Sequence, residues 1–273
     1  MSSWASKTVN QRNQPKTLVI NHGNSGFFSC CSIRLDMIIR YSNKYKSQPL
    51  IIDSTGLFNL YKPQDDNNQS IVTDYFQDDL TVTTFPSNVD YEDWKQFSDY
   101  MKLNYLSLAP FIKRYFSPSP GIQILLRGLE SKYNLDYSNL TVLFYRGNDK
   151  VREIPNAPYQ DYIDRAKIIE AANPGMRFLV QSDETEFIDL ILTTFPNAFY
   201  FKDETRHIPR SNTTVDLIYK SQNYLYSKYY LAITLAMSKA KNVICGSGNC
   251  SIWICLYRGN AEGVQQFLKT AWI

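Results

Sequence analysis

Short apolar runs alternate along this chain with segments whose apolar residues recur at helical spacing, and polar, glycine- or proline-containing stretches separate them. KTLVIN (16–21) reads as a buried strand and opens into NHGNSGFFS (21–29), a loop of small and polar residues. In CSIRLDMIIRYSNKY (31–45) the apolar positions Ile33, Leu35, Met37, Ile38, Tyr41 and Tyr45 recur at helical spacing. PLIIDS (49–54) is a second buried strand that ends on Asp53. Strand, loop, helix and strand in this order form a βαβ unit, which demands a parallel sheet with helices on its faces. Residues 61–93 are polar and rich in Asp and Asn, with a strand-like piece at LTVTTF (80–85). A helix is predicted over 91–116, SPSPG (117–121) interrupts it, and a second helix spans 121–132. Residues 1–16 read as a loose polar tail.

The α/β alternation restarts beyond a boundary predicted near 120–138. LTVLFYR (140–146), MRFLVQSD (176–183), AFYFK (198–202) and NVICGS (242–247) read as strands. YQDYIDRAKIIEAAN (159–173), ETEFIDLILTTF (184–195), a long stretch over 213–240 and GNCSIWICLYRGN (248–260) read as helices. The last segment, 261–273, is predicted helical. The pattern predicts an α/β protein of two Rossmann-like lobes facing a cleft, with lobes at 1–130 and 131–260 and a C-terminal helix at 261–273.

Composition narrows the function. With 273 residues and 44% hydrophobic positions, the chain can bury a large core. A net charge of +3 without a dense Lys/Arg run argues against a nucleic-acid partner. The polar N-terminus has no apolar signal region and no segment reaches membrane-span length, so a soluble, cytoplasmic protein with no stable membrane anchor is expected. The five cysteines (Cys30, Cys31, Cys245, Cys250, Cys255) lack zinc-site spacing and read as reduced core thiols. Two histidines, His22 and His207, are too few for a His-rich metal site, and no metal is expected. The 20 Tyr residues supply flat apolar faces with hydroxyls, a combination that suits carbohydrate.

Ligands of open α/β sheets bind beyond the carboxyl ends of the strands. The polar residues predicted there are Asn21 to Ser25 (with His22, Gly23 and Asn24), Asp53, Arg146 to Lys150, Ser182 to Glu184, and Gly246 to Asn249. A Gly/Ser turn before a helix presents backbone N–H groups to phosphate, and an Arg at a strand end offers a bidentate fork to the same group. Together they compose a diphosphate site. Neither GxGxxG nor GK[ST] is present, so this is not a dinucleotide fingerprint or a Walker loop.

Residues 144–260 resemble the donor-binding half of the fucosyltransferase-like GT-B enzymes, the α1,6-, nodulation- and protein O-fucosyltransferase group. FYRGNDK (144–150) resembles their His-x-Arg-Arg-x-Asp-Lys strand end. FLVQSDE (178–184) resembles their strand ending in Thr/Ser-Asp-Asp/Glu, and LAMSKAKNVICGSGNCSIW (235–253) their helix, strand and small-residue turn. The resemblance implies an inverting, metal-independent transfer from a nucleotide-diphosphate sugar to a glycan acceptor. It assigns Arg146 to diphosphate binding and leaving-group stabilisation, and donor contacts to Asp183, Ser247, Gly248 and Asn249. It makes 1–130 the acceptor-side lobe and 131–260 the donor lobe. The chain departs from the family where Phe144 replaces the His, Gly147 the second Arg, and about Ile233 a helix Asp. In the α1,6-enzymes that His and that Asp contact guanine, so UDP-sugars such as UDP-xylose stand beside GDP-fucose as donors, with a base pocket around Phe144 and Tyr145. The chain is also similar in size to small glycosyltransferases of large algal viruses that decorate capsid glycans, one of which transfers xylose.

Inverting transfer needs a base for the acceptor hydroxyl and positive groups for the departing diphosphate. Asp53, Asp74 and His22 are nearly equal choices for the base. Arg206 and Arg210, flanking His207, are predicted to close over the diphosphate, and Asp149 and Lys150 to assist. Two other classes remain open. A glycan-binding protein would use the tyrosines without a nucleotide. A kinase or phosphatase would need a magnesium-binding carboxylate set, and the Asp65–Asp66 and Asp78–Asp79 pairs lack the strand context for one.

Overall fold

The first two apolar runs form β1 (Thr17–Asn21) and β2 (Ile51–Gly56), which pair in parallel with Leu18 opposite Ile52. The computed structural model describes residues 16–63 and 69–273; the tail predicted before Lys16 and the Asp65–Asp66 pair lie outside the described residues. Between the strands, α1 (Phe27–Tyr45) starts a turn earlier than its apolar spacing predicts, because Phe27 and Phe28 already point into the core. Among the described residues β1 and β2 are the whole of their sheet.

The rest of the first half is helical and irregular: α2 (Val72–Tyr75), β3 (Phe76–Gln77), α3 (Tyr105–Tyr115), β4 (Ser117–Pro118) and α4 (Pro120–Lys132), with β3 and β4 paired antiparallel. The strand-like run at 80–85 forms no strand; Leu80 is 69% exposed, so the alternation finds no core to face. The helix predicted over 91–116 is two 3₁₀ turns, Asp93–Phe97 and Tyr100–Lys102, followed by α3. Two capping side chains divide it. Asp99 accepts from the Met101 amide and Asn104 from the Ser107 amide, and such residues favour helix starts over helix interiors.

The second half is β5 (Leu140–Tyr145), α5 (Tyr159–Ala172), β6 (Arg177–Ser182), α6 (Thr185–Thr194), β7 (Ala198–Phe199), α7 (Val215–Ile218), α8 (Asn223–Lys239), β8 (Asn242–Gly246), α9 (Asn249–Arg258), β9 (Val264–Leu268) and β10 (Ala271–Trp272). Its sheet runs β10-β9-β8-β5-β6-β7, parallel throughout except for β10. Every residue of β5 is buried, as the central strand of a sheet covered on both faces requires.

Two predictions fail here. The long helix over 213–240 breaks into α7, a 3₁₀ turn and α8, where the buried Asn223 side chain donates to the Leu60 and Asp216 carbonyls. The C-terminal helix at 261–273 is instead β9 and β10. Gly259 and Gly263 stand at φ +75° and +70°, in the left-handed region that ends helices. Beyond them Val264 pairs with Val243, extending the sheet.

Alternation along β5 sends Phe144 and Tyr145 to opposite faces. Phe144 joins a core that runs from Leu18 through α1 and α8 to Val264, so both halves share it. Tyr145 joins a second core beneath α5 and α6. All five cysteines are buried free thiols, and burial pushes Cys30 up to about 12. Among the described residues no helix is long and apolar enough to cross a membrane.

Candidate functional site

A cleft of about 370 Å³ opens where the carboxyl ends of β5 and β8 face the start of α1. The parallel sheet dictates its content, since each strand hands its next residues to this edge. Arg146 follows β5, Asp183 follows β6, and Ser247 and Gly248 follow β8.

Arg146 is the centre of the cleft. Its Nε donates to Asp183 Oδ2 at 3.0 Å and its Nη2 to Asp149 Oδ1 at 3.3 Å. Burial opposes its charge, but Asp183, Tyr230, Asp149 and Asp216 outweigh that cost and hold its pKa well above the ordinary arginine value. Neither carboxylate bonds Nη1, and the Tyr230 hydroxyl lies against the guanidinium. Burial lifts the Asp149 carboxyl above the usual carboxylate range; Arg146 pulls it back and Asp183 adds to the lift. Burial likewise depresses the Lys150 ammonium, which Glu153 Oε2 accepts from at 2.6 Å.

Two helix starts line the same cavity, Gly26 to Ser29 at α1 and Gly248 to Ser251 at α9. The first amides of a helix lack internal acceptors and carry partial positive charge. They line one cavity with Arg146, and the combination suits a dense anion. Some of these donors are already engaged. Phe27 N donates to the Tyr61 hydroxyl at 2.7 Å, and Gly248 N to the Tyr100 hydroxyl at 3.0 Å.

A smaller cavity of about 40 Å³ lies beyond Arg146, between Phe144, Ile233, Gln181 and Thr205. Arg146, Asp216 and Tyr230 belong to the walls of both cavities. Asp216 is fixed from two directions, by Arg206 Nη2 at 2.9 Å and by the Tyr61 hydroxyl at 3.0 Å. Tyr61 thereby links the first amide of α1 to the second half of the chain.

The structure brings together Asn24, Phe144, Arg146, Asp149, Lys150, Ser247, Gly248 and Asn249 in the larger cavity, and Ser182, Asp183 and Arg206 in the smaller one. The Ser247 and Asn249 side chains, however, are turned into packing: Ser247 Oγ donates to the Phe267 carbonyl, and Asn249 bonds Ser29 and Ser32 of α1. Other predicted residues lie elsewhere. Asn21, His22, Gly23 and Ser25 are outside the lining of either cavity. Asp53 is also outside; its Oδ1 closes a turn by accepting the Thr55 amide at 2.9 Å, which lowers its pKa. Asp74 accepts from the Tyr224 hydroxyl at 2.8 Å, away from Arg146. Tyr145 stacks on Phe187 in the second core, so Phe144 alone of that pair faces the cavities.

Arg210 does not reach the cleft. It pairs with Glu184, which is 1% exposed, at a separate groove. His207 Nδ1 lies 2.8 Å from Thr185 Oγ1, also off the cleft, and burial lowers its pKa.

Sequence reasoning missed Glu153, Asp216, Gln96 and Tyr230, all of which line the larger cavity. Glu153 lies on the same strand-end loop as Arg146, but nothing local sets it apart from a solvent-facing carboxylate. Asp216 and Gln96 had none, because long-range folding alone brings them there.

No protein-family model matches the chain, and no curated protein matches it. Solved structures do. The chain is similar to a NodZ alpha-1,6-fucosyltransferase crystal structure soaked with GDP-fucose, with TM-score 0.57 and 9% identity over 93% of this chain and 95% of that one. It is similar to the same enzyme co-crystallized with GDP, with TM-score 0.57 and 10% identity over 93% and 96%. It is also similar to fucosyltransferase NodZ from Bradyrhizobium, with TM-score 0.58 and 9% identity over 93% and 96%. At these identities the likeness concerns the fold, a GT-B arrangement of α/β type.

Proposed function

We propose that the protein is an inverting, metal-independent glycosyltransferase that moves a sugar from a nucleotide-diphosphate donor to a glycan acceptor. One observation carries the reading: Arg146, locked by Asp183 and Asp149, shares a cleft with the starts of α1 and α9. Such an arrangement is suited to the charge that a diphosphate leaving group develops, and fixed cationic donors supply what a divalent metal supplies elsewhere. The fold shared with NodZ, whose crystals were soaked with GDP-fucose, supports the same reading.

In this proposal residues 131–260 are the donor lobe and 1–130 the acceptor-side lobe. The base of the nucleotide is placed toward Phe144 and Ile233, which stand where the resembling enzymes carry a His and an Asp, so GDP lacks those two polar guanine contacts while Gln181, Thr205 and Arg206 offer others nearby. UDP-sugars, UDP-xylose among them, therefore stand beside GDP-fucose as donors. Glu153 is assigned the acceptor proton in place of Asp53, Asp74 and His22. Of the cleft carboxylates, Asp149 holds Arg146 and Asp216 accepts from two donors, whereas Glu153 is 47% exposed on its side chain and pairs with Lys150.

The test is thermal stabilisation by UDP, GDP, CMP and their sugars in EDTA, since a ligand of the native state raises its melting temperature by mass action. Stabilisation by a nucleoside diphosphate that EDTA leaves intact is the expected result. No shift with any nucleotide refutes the transferase.

A further inference from the structure

Trp94 is 67% exposed, although a side chain of that size and apolarity is normally sheltered. It does not stand alone. Its ring is stacked on Phe97 with 6.1 Å between centroids and 29° between planes. The Lys150 ammonium lies 4.9 Å from the centroid of the Phe97 ring. Lys150 also bonds Glu153 at 2.6 Å and Gln96 at 3.4 Å, and all three line the cleft. An exposed Trp94, backed by the half-buried Phe97, thus begins where the cleft ends.

The segment beneath it is rigid. The Tyr100 hydroxyl donates to the Gln96 carbonyl at 2.8 Å and takes the Gly248 amide at 3.0 Å. Gln266 Oε1 accepts the Tyr100 amide, and its Nε2 donates to the Ser98 carbonyl and to Ser247 Oγ. The aromatic pair is therefore fastened to the same turn that lines the cleft.

We propose that Trp94 and Phe97 form a platform for a pyranose ring of the acceptor glycan, beside Lys150 and Glu153. The inference rests on the glycosyltransferase reading for the identity of the ligand as acceptor. One face of a pyranose presents C–H bonds that carry slight positive charge, and the face of an aromatic ring is negative. Hydroxyls around the sugar's edge then meet Lys150, Glu153 and Gln96. Three polar groups at the border of an aromatic ring suit a ligand that has both a C–H face and hydroxyls.

The experiment applies wild type, Trp94→Ala and Trp94→Phe to an array of defined oligosaccharides with UDP or GDP present, alongside nucleotide-induced thermal shifts and sedimentation. Wild type is expected to retain a set of glycans. Trp94→Ala is expected to bind that set roughly 10- to 30-fold more weakly, the scale of losing an aromatic anchor, and Trp94→Phe to recover part of it. Nucleotide shifts are expected to match in all three. A wild type that retains no glycan overturns the platform, as does a Trp94→Ala that retains the same glycans equally well. A change in oligomeric state without a change in glycan binding overturns it too and marks a protein contact. Glycan binding lost in Trp94→Ala while no nucleotide stabilises any form leaves the platform standing and refutes the transferase instead.

Discussion

Asp183 accepts the Arg146 guanidinium on Oδ2 at 3.0 Å and the Gly147 amide on Oδ1 at 2.9 Å, so one carboxylate after β6 fixes both side chain and backbone after β5. The two residues act as a unit. Arg146→Ala is expected to lower transfer by roughly 100- to 1000-fold, the scale of removing one preorganised charge-stabilising donor, with the circular dichroism spectrum unchanged. Asp183→Ala is expected to lower transfer and also to cost about 1–3 kcal/mol of stability, because the buried Gly147 amide loses its acceptor and Arg146 keeps only Asp149. Initial rates and urea unfolding separate the two effects. Retention of most activity in Arg146→Ala refutes the assignment.

Glu153→Gln is expected to lower kcat roughly 100-fold or more, the usual contribution of a positioned base, while the thermal shift with nucleoside diphosphate stays at the wild-type value. An unchanged kcat returns the role to another cleft carboxylate, and Asp149→Asn and Asp216→Asn identify which.

The strands of the second half were legible because a buried parallel strand carries a short apolar run, and VLFY (142–145), FLV (178–180) and VIC (243–245) are such runs. Arg146, Asp149 and Asp183 were legible for the same reason, since each closely follows a strand. The base was not. Asp53 ends a strand, yet its carboxyl is spent on its own turn. Glu153 was passed over although it lies near Arg146 in sequence, because nothing local distinguishes a loop carboxylate that faces a cleft from one that faces solvent. Asp216 and Gln96 enter the site through contacts with distant segments, to Tyr61 and to Lys150. The C-terminal strand was illegible because its register depends on Gly263 fitting against Lys241, a contact between segments that local periodicity does not encode.

Gly147 stands where the resembling enzymes carry a second arginine. A Cβ there would overlap the Glu184 carboxylate and lie 2.9 Å from the Tyr145 ring. Glu184 cannot easily withdraw, being buried and paired with Arg210. Gly147→Ala is expected to cost about 1–3 kcal/mol, as overpacking does, and Gly147→Arg is expected to lower both stability and activity. Urea unfolding measures the first. A gain of activity in Gly147→Arg shows that the space was open.

His207 gives stability a pH dependence of known sign. Burial holds its pKa below the ordinary histidine value. Below about pH 6.5 the unfolded chain therefore binds a proton that native His207 does not, and linkage makes stability fall as pH drops through that window. In His207→Gln this contribution is absent. The difference in unfolding free energy between wild type and variant is expected to shrink from pH 7.5 to pH 5.5. A difference constant with pH refutes the assignment.

Tyr100 and Gln266 together bind the segment 93–100 to the turn after β8, and their coupling is measurable. The Tyr100 side chain is 1% exposed, and its hydroxyl takes the Gly248 amide. Tyr100→Phe leaves that amide and the Gln96 carbonyl short of a partner, which costs about 1–3 kcal/mol. Gln266→Leu removes the bonds to the Tyr100 amide, the Ser98 carbonyl and Ser247 Oγ, and is expected to cost a comparable amount. If the segment is one hydrogen-bonded unit, the first substitution already loosens what the second would break. The double variant is then expected to lose less stability than the sum of the singles, by at least about 0.5 kcal/mol. Urea unfolding of the four proteins measures this difference. Strict additivity would show two independent anchors, and the turn would then keep its geometry when either is lost.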